Sequence, residues 1–110
     1  MTVQDTDRIR TLNDDFRKQL TGGKAVMTLG VAALGPEVVQ RVVQVLTCFD
    51  DFHHACDPYS EHDFGSFELD GNRFFFKIDY YDKTLTAGSP NPADPDVTER
   101  VITLMLAEEY

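Results

Sequence analysis

The stretch Glu61–Asp82, EHDFGSFELDGNRFFFKIDYYD, decides the fold. Apolar and polar residues alternate on both sides of Asp70-Gly71-Asn72, where Asp-Gly or Gly-Asn supplies the positive φ angles of a two-residue turn. Either turn register places Phe67, Leu69, Phe74, Phe76, Ile78 and Tyr80 on one face of a β-hairpin. The other face takes Glu68, Asp70, Arg73, Lys77 and Asp79, interrupted by Phe75 and Tyr81. A hairpin with one aromatic and one wetter face belongs to an antiparallel sheet covered on one side.

Working outward, Thr6 to Leu20 reads as an amphipathic helix with Ile9, Leu12, Phe16 and Leu20 at helical spacing, stopped by Gly22-Gly23. The small apolar run from Lys24 to Leu34, bounded by glycine and Gly35-Pro36, reads as a strand. Pro36 suits the first turn of a second helix reaching Phe49 or Phe52, with Val39, Val42, Val43, Leu46 and Phe49 as its apolar stripe. His53 to Asp63 has no period and is read as a loop. Lys83 to Ala93 is a second loop that could hold a short strand at Thr84 to Thr86. Asp94 as cap, Pro95 in the first turn, and Asp96 and Glu99 near the positive end predict a last helix. Its inward face would be Val97, Val101, Leu104 and Met105, widened by Ile102 and Leu106. The expectation is one α+β domain over residues 1–110, in the order α-β-α-β-β-α, with helices packed on one face of a small, mainly antiparallel sheet.

Charge narrows the function classes. The chain of 110 residues carries a formal net charge of −9. Asp50, Asp51, Asp57, Glu61, Asp63, Glu68, Asp70, Asp79 and Asp82 face only Arg73 and Lys77 between positions 50 and 82, a local balance of −7. The ten basic residues are scattered, so direct nucleic-acid binding is not expected. No apolar run reaches the roughly 18 to 20 residues of a membrane span, and the N-terminus lacks signal-peptide order. A cytoplasmic protein with reduced Cys48 and Cys56 is expected.

Reactive side chains are densest at His53, His54, Cys56, Asp57, Glu61, His62 and Asp63. Their spacing matches no structural zinc pattern, so no metal and no cofactor are expected. Cys56 with His62, or Glu61 with His62, could form a nucleophile–base or base–orienter pair, but no glycine elbow or cofactor fingerprint accompanies them. His62-Asp63 reads first as a device tying loop backbone to the strand start. Gly22-Gly23 lacks the Lys-Ser/Thr of a phosphate loop.

Acids with aromatics among them fit another role. A negative surface can occupy the basic groove of a nucleic-acid-binding protein, and aromatics supply desolvated anchors. The expected partner-binding residues are Glu68, Asp70, Phe75, Asp79 and Tyr81, with Glu61, Asp63 and Asp82 at the edge. Self-assembly through Phe75 and Tyr81 is a further possibility.

The words DRIRTLNDDFR (Asp7–Arg17), GVAAL (Gly30–Leu34), EHDFGSFELDG (Glu61–Gly71), FFFKIDYYD (Phe74–Asp82), GSPNPADP (Gly88–Pro95) and LMLAEEY (Leu104–Tyr110) together resemble a family of short bacterial proteins. That family is classed as a domain of unknown function, found mainly in proteobacteria and often on plasmids and mobile elements. HHACDPYS, from His53 to Ser60, is its least typical segment here. The resemblance implies a context and no catalytic residue. Short acidic proteins of mobile elements resemble anti-defence factors, anti-CRISPR and antirestriction proteins among them, which bind host complexes. The expectation is a non-enzymatic inhibitor or regulator of a basic nucleic-acid-handling protein or ribonucleoprotein. A metal- or thiol-assisted enzyme using the His53–Asp63 loop is the alternative.

Overall fold

The computed structural model describes residues 3–53 and 57–110. The elements run α1 (Val3–Gln19), β1 (Gly23–Met27), α2 (Leu29–Ala32), α3 (Pro36–Cys48), β2 (Phe64–Leu69), β3 (Asn72–Tyr81) and β4 (Glu99–Leu106), ending in a 3-10 turn at Ala107–Glu109. The strands form one sheet in the order β1-β4-β3-β2. β2–β3 and β3–β4 are antiparallel and β1–β4 is parallel, so the sheet is mixed.

The hairpin turns on Asp70 and Gly71, both at positive φ (54° and 81°), which selects Asp-Gly over Gly-Asn. The resulting register sets Phe67 opposite Phe74 and Gly65 opposite Phe76. Phe67, Phe74, Phe76 and Ile78 are buried, with Leu69 and Tyr80 packed at the margin of the same core. Ile102 and Leu104 of β4 join them from the neighbouring strand. The helices cover this face through Phe16, Val31, Val42, Leu46 and Phe49.

Two segments depart from expectation. Asp94 to Leu106 is not a helix. Asp94 Oδ1 accepts the Asp96 N–H (2.9 Å) in a turn, and Glu99–Leu106 is a central strand. The Val101-Ile102-Thr103 run is β-branched, which disfavours helix and suits a pleated surface. Both of its faces carry apolar residues, because Ile102 and Leu104 point at the helices while Met105 is buried on the other side. That erases the period of two and leaves a spacing that mimics a helical stripe. The Lys24–Leu34 run, expected as one strand, divides. β1 ends at Met27, and Thr28 caps the short α2 by accepting the Val31 N–H on Oγ1 (3.4 Å). Thr84 to Thr86 is turn, organised by Asp82.

Sheet parity leaves Phe64, Ser66 and Glu68 of β2 on the face away from the helices, with Arg73, Phe75, Lys77, Asp79 and Tyr81 of β3. The anomalous Phe75 is partly covered there, with ring centroids 5.2 Å from Phe64 and 5.6 Å from Tyr110. No helix among the described residues is long and apolar enough to cross a membrane.

Candidate functional site: the acidic end

The loop before β2 packs against the middle of α1 and the ends of β3 and β4, and a polar network holds the four together. Asn13 is its hub. It is fully buried, its Nδ2 donates to Glu61 O (2.9 Å) and Tyr80 OH (2.7 Å), and its Oδ1 accepts from Arg100 Nε (2.8 Å). Tyr80 OH donates in turn to Glu61 Oε1 (2.8 Å), and Arg100 also donates to Pro92 O (2.5 Å). Burial pushes the Tyr80 hydroxyl well above its usual range and lowers Arg100.

Beside this hub, His62 Nδ1 donates to Asp14 Oδ1 (2.9 Å), which also accepts from Arg17 (2.9 Å). His62 Nε2 lies 3.8 Å from the buried Asp57 carboxylate, and the other Asp57 oxygen accepts the His62 backbone N–H (3.0 Å). The imidazole stacks on Phe52 at 3.8 Å, and the Arg17 guanidinium lies 5.0 Å from the same ring centre. Ser60 and His62 both take positive φ, so the loop is bent into place by these contacts. Asp63 O accepts the Ile78 N–H (2.8 Å). The loop is thus fastened to the hairpin by the Asp63 backbone and to α1 by the His62 side chain, and not by the two side chains at the strand start as expected.

The eight expected binding residues divide into two groups. Those on the hairpin's outer face sit beside bases or ring neighbours. Glu68 pairs with Arg73 (2.5 Å) and Asp79 with Lys77 (3.3 Å), whereas Asp70, expected on this face, sits in the turn and reaches back to Arg41 of α3 on the helix side. Phe75 meets Phe64 tilted and Tyr110 edge-on, and the Tyr81 backbone bridges to Gly88. Glu61, Asp63 and Asp82 lie towards the loops. Asp82 is spent on the following turn, where Oδ1 accepts from Thr84 and Thr86, and these bonds lower its pKa. Glu61 is tied to Tyr80. Asp63 is different: burial, then the charges of Glu61, Asp57 and Asp79, push its carboxyl up to about 6 from an ordinary 3.8. The excess negative charge therefore lies at the loop end, where exposed Asp50 and Asp51 continue it.

The Asp63 shift has a measurable consequence. Between its ordinary value and about 6 the folded chain holds this proton while the unfolded chain releases it, so stability falls as pH rises through that window. Asp63→Asn is expected to melt with the wild type below about pH 4 and progressively above it towards neutral pH. A difference in melting temperature that stays constant across this range would contradict the assignment.

Of the loop's other reactive residues, His53 is exposed, 3.4 Å from Asp51, while His54 and Cys56 lie outside the described residues. Among the described residues no group of His, Cys, Asp and Glu is placed to hold a metal. Cys48 is exposed. Asn13, Asp14, Arg17 and Arg100 were not expected at this site. Asn13 and Arg17 did leave a signal, since they fall three to four residues from Ile9, Phe16 and Leu20 on the buried stripe of α1.

No curated protein and no solved structure matches the chain. A family model does match, over residues 27–109, from the last residue of β1 through the C-terminal turn. By that match the chain belongs to the family described as "Protein of unknown function (DUF3768)".

Proposed function

We propose that this protein is a small non-enzymatic binding protein that docks its acidic end on a basic nucleic-acid-handling host protein or ribonucleoprotein and inhibits or regulates it. Anti-CRISPR and antirestriction factors are the functional class, in the cytoplasm of a proteobacterial host carrying the gene on a mobile element. The observation that carries this reading is the gathering of Glu61, Asp57 and Asp79 around the half-buried Asp63, whose charges add to burial in raising its carboxyl to about 6. Asp50, Asp51, Asp57 and Glu61 lie in the same loop region, and the outer hairpin acids are largely balanced by their own bases. A field of one sign at one end steers a partner of opposite sign and orients it. The polar network supports the reading too, because residues 57–63, which it holds in place, lose little entropy on binding.

The test is capture of partners by the tag-free protein from host lysate, with release by salt and by competing DNA. A basic nucleic-acid-binding protein or complex, displaced by both, is the expected result; only background recovery would contradict it. With the partner in hand, reversing Asp50 and Asp51 to lysine should weaken binding by about tenfold or more at low salt. Reversing Glu68 and Asp79, each already beside a base, should weaken it less. An equal or opposite order would move the contact to the hairpin face.

One arrangement favours a second reading. Asp14 fixes the His62 imidazole by its Nδ1–H (2.9 Å), the base–orienter geometry of acid–base catalysis. Turnover on a panel of acyl and phosphoester substrates, lost in His62→Gln, would favour an enzyme.

A further inference from the structure

We propose that the free edge of β1 is a homodimer interface, at which two copies pair Gly23–Met27 antiparallel about a two-fold axis at Ala25. β1 is an edge strand, bonded only to β4. Thr28 N–H donates to Leu104 O (3.0 Å), which fixes the parity of the strand. Lys24 and Val26 turn their backbone groups to β4, while Gly23, Ala25 and Met27 turn theirs outward. Those outward groups are symmetric about Ala25. In the antiparallel pair Ala25 meets its own copy and Gly23 meets Met27, each exchanging both N–H···O=C bonds, so no edge group is mismatched.

The side chains around this edge suit a second copy better than the basic partner proposed above. Val26 is 48% exposed and Met27 43%, and a groove of about 170 Å³ runs between β1 and α3 past Leu20, Val43 and Leu46. The α3 flank beyond it presents Val39, Gln40 and Gln44. Lys24 on β1 is offset by Glu37 on α3 and by Glu109, which Thr28 and Gly30 hold just past the strand, so this margin carries little of the chain's net −9. Two copies repel least where each is neutral, and a cationic partner finds no field here. A two-fold axis normal to the sheet keeps both helix layers on one side. It brings the two α3 flanks together over the joined strands and shields an edge that otherwise invites indiscriminate pairing.

In this register Lys24 stands directly opposite Val26 of the partner, in the close, non-hydrogen-bonded pairing. That gives opposite predictions for two variants of one exposed residue. Val26→Glu makes two cross-strand ion pairs and should tighten the dimer by about fivefold, although it makes the chain more acidic. Val26→Lys sets like charges opposite and should loosen it by a similar factor, although it lowers the repulsion between chains. Ala25→Pro removes an outward N–H without touching the ladder to β4, so it should fold and yet lose dimerisation by tenfold or more.

Sedimentation equilibrium of the tag-free full chain, from about one micromolar to about one millimolar, reads all four proteins. A concentration-dependent dimer with this order of variants is expected. A monomer throughout would overturn the proposal. So would a dimer indifferent to Ala25→Pro while that variant keeps wild-type circular dichroism, which would place the contact on another face such as that of Phe75 and Tyr81. A reversed order of the two Val26 variants would show bulk charge without registered strands.

Discussion

Asn13→Leu is expected to cost about 3 kcal/mol or more of folding stability, lowering the melting temperature by on the order of 15 °C. Leucine keeps the branched outline and heavy-atom count of asparagine, so the lost hydrogen bonds are the main cause. Asn13 is fully buried and satisfies the Glu61 carbonyl, the Tyr80 hydroxyl and Arg100 Nε, three groups from three different elements. Removing one member strands the others in a site without ready access to water. The cost of one such neutral group is about 1–3 kcal/mol, and more for a charged one. Arg100 is the charged one here, and it is 4% exposed. Urea denaturation monitored by circular dichroism measures the loss. A change below about 1 kcal/mol would mean that water replaces the network and that it does not hold the loop.

Gly65→Ala is the second large effect, and its sign runs against propensity. Glycine inside a strand is ordinarily a weakness, and alanine should gain roughly 0.5–1 kcal/mol. At Gly65, however, a Cβ would stand 2.3 Å from Phe76 Cε1 and 2.6 Å from Phe49 Cε1. Phe76 is fully buried and sits edge-on to Phe49 at 5.2 Å, itself edge-on to Phe52 at 4.9 Å, so neither ring has room to retreat. Overpacking of this kind costs about 1–3 kcal/mol, occasionally more, and it outweighs the propensity gain. A net loss of about 2 kcal/mol is expected in the same denaturation experiment. The strain also passes through Phe52 to His62, so the loop should open to proteolysis sooner. A neutral or stabilised variant would show that the aromatic cluster is loosely packed.

These two positions also show what a sequence can and cannot disclose. The hairpin was legible because its core lies on one face only, which preserves the period of two, and because Asp70-Gly71 is a specific turn signal. β4 was not, for the opposite reason. It is flanked by β1 and β3 and apolar on both faces, and its Val101, Leu104 and Met105, with Val97 just before it, happen to fall at helical spacing behind a convincing Asp94-Pro95 start. Only the β-branched run at Val101–Thr103 argued for a strand. The parallel pairing of β1 needs a crossover through most of the chain, which local patterns do not encode. At the site, composition marked the acidic stretch from Asp50 to Asp82 with its weight on the hairpin face, but not what fixes the loop. Asn13 reaches Tyr80 and Arg100 across most of the sequence, and such long-range satisfaction has no local signature beyond polar residues on an apolar stripe.

The placement of function at the acidic end is tested most directly by amide hydrogen exchange on the protein with and without its captured partner. Slower exchange across residues 50–63 on binding, with β1 unchanged, is the result expected if the loop end is the contact. Protection confined to β1 or to the β2–β3 turn, with residues 50–63 unaffected, would contradict it.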